Sequence, residues 1–180
     1  KTESYKLQAT SYKLMPLARP KEKIERRIGE KLFLKGERSF SQKTAVSRRP
    51  YPPGLHGKKR RRGHSEYGTQ LREKQKVRYL YGLGDGELKR YFEEALADKN
   101  KPTADMLAEL LERRLDNAVF RLGFAVSRSI ARHLVSYGHI LVNGRCVRRP
   151  SLRVKIGDII SPKVNELSST LWRDLEIRLK

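Results

Sequence analysis

Apolar side chains recur every three to four residues from Ser65 to Gly138, and the period then shortens to runs of two or three. Ser65 predicts the N-cap of a helix reaching Tyr81, with Gly82 at its C-terminal stop. The rows Leu71, Gln75, Arg78 and Arg72, Lys76, Tyr79 repeat at helical spacing, so one face of that helix is cationic. Gly68 inside it costs about 1 kcal/mol of helix propensity. Asp85 is placed to cap a second helix, with Leu88, Tyr91, Phe92, Ala95 and Leu96 as its buried stripe. Met106, Leu107, Leu110, Leu111, Leu115, Val119 and Leu122 continue one pattern from Pro102 to Gly123, predicting a single long helix.

After Gly123 the elements are short. Ser127 caps a helix carrying Ile130, Ala131, Leu134 and Val135, stopped by Gly138. Ile140-Leu141-Val142 reads as a strand, and Asn143-Gly144 is a strong hairpin signal because both positions of a type I′ turn need positive φ. Arg145-Cys146-Val147 returns, and Arg153-Val154-Lys155, a Gly157-Asp158 turn and Ile159-Ile160 follow. The fold class is α+β: a helical N-terminal and middle part with a basic extended arm, then helices packed on a small antiparallel sheet. The expected units are 1–25 (extension), 26–64 (arm), 65–112 (helical scaffold), 113–162 (small α+β domain) and 163–180 (C-terminal segment).

Before Ser65 the pattern weakens. SYKL occurs at 4–7 and 11–14, a heptad step too short to make a coiled coil. Arg48-Arg49-Pro50-Tyr51-Pro52-Pro53-Gly54 excludes helix, and His56-Gly57-Lys58-Lys59-Arg60-Arg61-Arg62 follows with five consecutive cations. Residues 1–62 offer little apolar surface to offset chain entropy and are expected to order on a partner.

Charge names the class of that partner. The chain has 41 Lys and Arg against 20 Asp and Glu, a net +21, with only 37 % apolar residues. Self-repulsion of that size destabilises a compact state unless a polyanion relieves it, so nucleic acid is expected, with an anionic membrane surface a distant second. Block by block the charge is +2 over 1–14, +12 over 15–62, −2 over 63–112, +8 over 113–162 and +1 over 163–180. Two basic blocks flank a neutral scaffold, so the flanks are the expected contact surfaces.

Enzymatic chemistry finds no support. His56, His64, His133 and His139 show neither metal-ligand spacing nor a nucleophile partner, and Gly82, Gly84 and Gly86 follow a helix rather than a strand and lack a P-loop lysine. Cys146, the single cysteine, reads as a small core residue in a strand and excludes a disulfide framework. No cofactor or metal is expected. No stretch approaches the roughly 18 apolar residues of a spanning helix, and the opening residues lack the apolar core of a secretory signal. Arg113, Arg114 and Arg121 are expected on the polar side of the long helix; Arg113 and Arg114 have Glu109, Glu112 and Asp116 as alternative partners. Arg128 and Arg132, spaced i, i+4, share a face suited to phosphate, and Tyr137 and His139 sit at a helix-to-strand corner where a ring can stack on an unpaired base.

The stretch RRLDNAVFRLGFAVSRSIARHLVSYGHILVNGRCVRRPSLRVKIGDII, 113–160, closely resembles the S4-type RNA-binding domain. GEKLFLKGERSFSQKTAVSRRPYPPGLHGKKRRRGHSEYGTQLREKQKVRYLYG, 29–82, is similar to the N-terminal part of the bacterial-type small-subunit ribosomal protein S4 family. The resemblance implies a non-enzymatic primary rRNA-binding protein, acting at a multi-helix junction in the 5′ domain of small-subunit rRNA and nucleating subunit assembly. It further implies a place beside the S5 and S3 proteins near the path by which mRNA enters, and a contribution to translational accuracy. The expected location is the cytoplasmic small subunit, with an organellar ribosome as the alternative. Carried over by motif, RNA contacts fall on Arg48, Arg49, Tyr51, His56, Lys58, Lys59, Arg60, Arg61, Arg62, Arg72, Lys74, Gln75, Lys76, Arg113, Asn117, Arg121, Arg128, Arg132, His139, Asn143 and Arg145.

Three departures accompany the resemblance. Some family members hold zinc with N-terminal cysteines; here Ser39 and Thr44 occupy the corresponding places, implying a zinc-free form. Ser129-Ile130 replaces the usual Arg-Gln and leaves one RNA contact in doubt, and the family usually continues beyond the S4 domain with a further helix and hairpin. The competing functions are an RNA-modifying enzyme of the pseudouridine synthase type and a ribosome-associated factor carrying an S4 domain. The first needs a catalytic domain for which the RNA-binding segments leave no room, and the second does not account for residues 29–82.

Overall fold

The computed structural model describes residues 20–59, 63 and 65–163. The SYKL repeats, Arg60, Arg61, Arg62, His64 and the chain from 164 onward lie outside them. Seven α-helices and a three-stranded antiparallel sheet follow one another along the described residues.

The longest helix is the spine. The third helix of the chain, α3 (Glu66–Tyr81), starts where Ser65 Oγ accepts from the Gly68 amide at 3.2 Å and stops at Gly82 with φ +67°. It follows two shorter helices, α1 (Lys21–Ile28) and α2 (Ala45–Arg48), and is followed by α4 (Asp85–Ala97) and α5 (Thr103–Glu112). Asp85 is the first residue of α4 rather than its cap, and its carboxylate pairs with Arg78 on α3. Leu83, Leu88, Tyr91, Ala95, Leu110 and Leu111 form the scaffold core, with Val77 and Tyr81 of α3 packed against it. Phe92 and Leu96 are exposed, which corrects their place in the expected stripe. Leu88, Tyr91 and Ala95 alone of the expected stripe are buried, so the apolar stripe of α4 is narrower than the sequence suggests.

The arm has a core that its composition conceals. Ile24, Ile28 and Leu32 bury against Tyr79 on the far face of α3, with Leu34 alongside. Arg72 of α3 donates to the carbonyl of Ile28, and buried Glu25 accepts from the Leu34 amide at 3.1 Å. Residues 24–34 of the expected RNA-ordered segment are therefore anchored by the protein itself, and α1 runs across the boundary placed at residue 25. Gly36, at φ +62°, lies so close to the loop before α7 that a Cβ there would stand 2.5 Å from Val126 Cγ1. The arm thus touches both the helical scaffold and the unit that follows it. Ser39 and Thr44 are both buried, with Ser39 Oγ accepting from the Lys35 amide at 3.1 Å and Thr44 Oγ1 bonded to Ser47 Oγ at 3.0 Å.

The long helix expected over 103–122 is broken. α5 ends at Glu112, Arg114 is extended, and α6 (Leu115–Arg121) begins afresh. At the break the backbone pairs with a distant strand-like segment: Leu115 N donates to Leu152 O at 2.8 Å and Val154 N to Arg113 O at 2.7 Å. Uniform 3–4 spacing carries no trace of that pairing, because the two short helices stay nearly in phase. α7 (Arg128–Ser136) is capped by Ser127 Oγ, which accepts from the Ile130 amide at 3.4 Å.

Leu115, Val119, Ala125, Ala131, Leu134, Val135, Ile140 and Val142 make the core of this second unit. Its sheet has the order β2-β1-β3, with β1 (Ile140–Val142) central, β2 (Arg145–Cys146) and β3 (Ile160–Pro162) on its edges. Val142 faces Arg145 across the hairpin and Ile160 on the other side. Asn143 (φ +50°) and Gly144 (φ +76°) make the expected turn. Three expectations fail: Leu122 and Ile130, expected in the core, are exposed, and Cys146 is an exposed strand residue whose thiol donates to Gly138 O at 3.3 Å.

Candidate nucleic-acid interface

Arg114 is not a surface cation. It is 0 % exposed, and its guanidinium grips Asp116 through two bonds (Nε to Oδ1 3.0 Å, Nη2 to Oδ2 2.8 Å). Nη1 donates to Glu87 Oε1 at 2.7 Å and to the Tyr91 hydroxyl at 2.8 Å. Burial works to lower its pKa, but Asp116 and Glu87 outweigh it and hold the cation above its usual range. Arg114 therefore bolts α4 to α6, and its expected place on a polar face is corrected.

Asn117 is corrected in the same way. It is 1 % exposed, with its amide nitrogen donating to Glu112 O at 3.2 Å and Glu112 Oε2 at 2.7 Å. Its carbonyl accepts from Arg128 Nε at 2.8 Å. A side chain so committed is held inside the fold and is placed to orient Arg128. Arg128 also lies over two rings, Phe120 at 4.6 Å and Tyr81 at 5.0 Å. With Nε bonded and both rings beside it, the guanidinium is fixed before any ligand arrives. Burial lowers its pKa, yet a guanidinium stays charged. Arg132 is half-buried and donates from Nη1 to Gly82 O at 2.7 Å.

Glu112 is the hub beneath them. It accepts from Arg121 Nη2 at 2.9 Å and from the Tyr81 hydroxyl at 2.7 Å, besides Asn117. Arg121 foremost, helped by Tyr81 and Asn117, holds the carboxyl at about 2, while burial and then Glu112 push the Tyr81 hydroxyl up to about 12. A depressed carboxylate pKa adds stability that is present above about pH 4.5 and lost as pH falls toward 2. Acid unfolding should therefore separate wild type from Glu112→Gln at pH 5 and bring their melting temperatures together near pH 2. The gap is moderated by solvent screening of the exposed carboxylate. A gap that persists unchanged to pH 2 contradicts this assignment.

The other expected contacts sort by their partners. Arg113 pairs with Glu109 at 3.2 Å, Lys74 with Asp85 at 3.9 Å, and Lys76 with Glu30 at 2.7 Å and Glu73 at 2.8 Å. Arg72 is half-buried against α1 and Gln75 is half-buried on α3. Asn143 is occupied in its own turn, donating to Asp158 Oδ1 and accepting from the Ile159 amide, both at 2.9 Å. Arg48, Arg49, His56, Lys58, Lys59 and Arg145 stand exposed. Tyr51 is half-buried with Arg26 and Lys58 over its ring at 4.9 and 5.5 Å. His139 is half-buried beside the exposed Tyr137 ring at 6.2 Å.

The motif carry-over missed cations as well. Arg148 and Arg149 are exposed after β2, and Lys23, Arg26, Arg38 and Lys43 join Arg48 and Arg49 around one cleft at α1 and α2. The run RCVRRP signals the first pair; no local pattern signals that the second group converges. Both carboxylates of 113–162 are engaged inside the domain, Asp116 by Arg114 and Asp158 by Asn143 and the Lys155 amide. The exposed Arg145, Arg148 and Arg149 thus share neither of these carboxylates.

Comparison with known proteins agrees with that chemistry over the whole described length. The profile of the Ribosomal protein S4/S9 N-terminal domain matches residues 16–112, and that of the S4 domain matches 113–160. Small ribosomal subunit protein uS4 of Caldicellulosiruptor bescii is 55 % identical over 156 residues, covering 86 % of this chain and 73 % of that one. The uS4 of Syntrophomonas wolfei is 52 % identical over 151 residues, 84 % of this chain and 72 % of the relative. The uS4 of Thermus thermophilus is 57 % identical over 136 residues, 76 % and 65 % of the two chains. The junction between the two matched profiles falls at 112/113, where α5 ends and the Arg114 bolt begins. The two matched profiles, in this order over 16–160, and relatives more than 50 % identical place the chain in the uS4 family of ribosomal proteins.

Proposed function

We propose that this chain is a constituent of the small ribosomal subunit in the cytoplasm and binds the 5′ domain of small-subunit rRNA at a multi-helix junction, nucleating assembly there. Its neighbours are then the S5 and S3 proteins, close to the path by which mRNA enters, where it contributes to translational accuracy. The observation that carries this reading is the division of cations. Arg113, Arg114, Arg121 and Arg153 meet scaffold carboxylates, whereas Arg145, Arg148 and Arg149 stand exposed outside those pairs. In the arm, Lys35 and Arg38 share Glu22 while Arg48, Arg49, Lys58 and Lys59 stand exposed. Both matched profiles and the uS4 relatives support the same reading.

Co-sedimentation tests it. The tagged chain should remain with small subunits at stoichiometric level through a high-salt wash; release at moderate salt indicates a transient factor instead. Single variants then locate the contact. Arg145→Ala and Arg148→Ala, both exposed, should change stability by about 0.5 kcal/mol or less. Each should weaken binding to the rRNA 5′ domain by about 1.5–3 kcal/mol at low salt. Arg128→Ala should weaken binding too, but it also removes the bond to Asn117 and the two ring contacts, so its melting temperature falls. Exposed arginine variants that bind like wild type would move the interface off the S4 domain.

A further inference from the structure

Phe33 is held in an unusual conformation on the surface. Its φ is +54°, in a region that glycine favours and a bulky side chain avoids. Among the described residues Asn143 alone shares this property without being glycine, and the hairpin explains Asn143. For Phe33 the cause lies in its neighbours. Leu32 and Leu34 both turn inward onto Ile24, Ile28 and Tyr79, and the Leu34 amide is tied to Glu25. With both neighbours inward, the ring between them is forced out.

There it meets a second exposed ring. Phe33 is 48 % and Phe40 is 76 % exposed, and their centroids lie 5.1 Å apart at 33°. The pair stands in the most basic stretch of the chain, with Arg38 on the turn before Phe40, exposed and sharing Glu22 with Lys35 so that only part of its guanidinium is engaged. Phe33 also forms a wall of the cleft into which Lys21, Arg128 and Arg132 face. An aromatic face bordered by cations on two sides suits a nucleotide, whose base stacks while its phosphates are gripped. Protein-docking interfaces are depleted in lysine, whereas Lys21 lines the cleft that Phe33 borders.

We infer that Phe33 and Phe40 form a stacking platform for an unpaired base of the bound RNA, with the flanking phosphates held by Arg38 and by the cations of the adjoining cleft. This rests on the rRNA-binding reading and specifies its chemistry at one place. A duplex offers no free base face, so the ligand is a single-stranded or bulged nucleotide. The platform reads no sequence, since every base has a π-face.

The test uses the full chain, an rRNA 5′-domain transcript and a fully paired RNA duplex of equal charge. Phe33→Gly and Phe40→Leu together should weaken transcript binding about 5- to 100-fold, the range for losing one stacked base. The salt slope should stay unchanged because no charge is removed. Affinity for the duplex should also stay unchanged. Phe33→Gly alone should melt no lower than wild type, since glycine accepts the positive φ. Phe40→Trp should keep full affinity. Equal binding by the double variant and wild type, or equal losses on transcript and duplex, overturns the platform while leaving rRNA binding intact. So does retention of RNA affinity with loss of a neighbouring ribosomal protein. Failure of wild type itself to bind the transcript overturns both readings.

Discussion

Replacing Arg114 by alanine is expected to destabilise the fold by about 3–5 kcal/mol, the typical loss when one partner of a buried ion pair is removed. The guanidinium fills a fully buried position between α4 and α6, and its removal leaves Asp116, itself buried, with only the Asn117 amide to satisfy it. Glu87 and the Tyr91 hydroxyl lose their donor as well. Most of the loss is therefore the stranded carboxylate rather than the pair itself. A double variant, Arg114→Met with Asp116→Leu, removes both charges and should recover a large part of the stability. Urea unfolding of the three proteins measures this without adding salt. A single variant within 1 kcal/mol of wild type, or a double variant no better than the single, contradicts the account. Because Arg114 also joins the S4 domain to the scaffold through Glu87 and Tyr91, the loss should appear as earlier separation of the two units as well as a lower midpoint.

That bolt also shows where sequence reasoning reaches its limit. Elements set by local chemistry were legible: the Ser65 and Ser127 caps, the Gly82 stop and the Asn143-Gly144 turn each follow from side-chain or φ requirements within four residues. The break at 113–114 depends on pairing with 152–154, some forty positions away, and nothing in the 3–4 spacing records it. The same holds for Asn117. A motif places it among RNA contacts, whereas its neighbours in space turn it toward Glu112 and Arg128. The anchoring of the arm escaped composition because three apolar residues suffice when Tyr79 from α3 completes the cluster. The family itself was legible, since it is carried by long stretches in fixed order and is borne out by the matched profiles. Which cations are available to RNA was not, because charge counts do not show which carboxylates they meet.

The scaffold's near-neutral charge acquires a purpose from those meetings. Glu87, Glu94, Glu109 and Glu112 reach Arg114, Arg153, Arg113 and Arg121, so its acids neutralise the inner face of the S4 domain. Repulsion between two basic blocks is thereby relieved at their junction while the outer faces stay cationic.

The largest effect on binding should come from salt. If about eight phosphates are neutralised, log affinity for the rRNA 5′ domain falls with log salt at a slope of about −6 to −7. Between 50 and 200 mM salt that slope removes on the order of 10⁴-fold in affinity. The structure divides the arginines that produce it. Arg145, Arg148 and Arg149 stand exposed on the S4 domain, so each alanine variant should reduce the slope by about one. Arg113 and Arg121 begin in ion pairs with Glu109 and Glu112. Reaching a phosphate requires them to leave a carboxylate, so their variants should change the slope by clearly less than one. Filter binding across a salt series for wild type, Arg148→Ala and Arg113→Ala measures both statements together. A wild-type affinity that barely changes over this range removes the electrostatic basis of the interface. Equal slope changes for the two variants would show that the scaffold carboxylates do not withhold arginines from RNA.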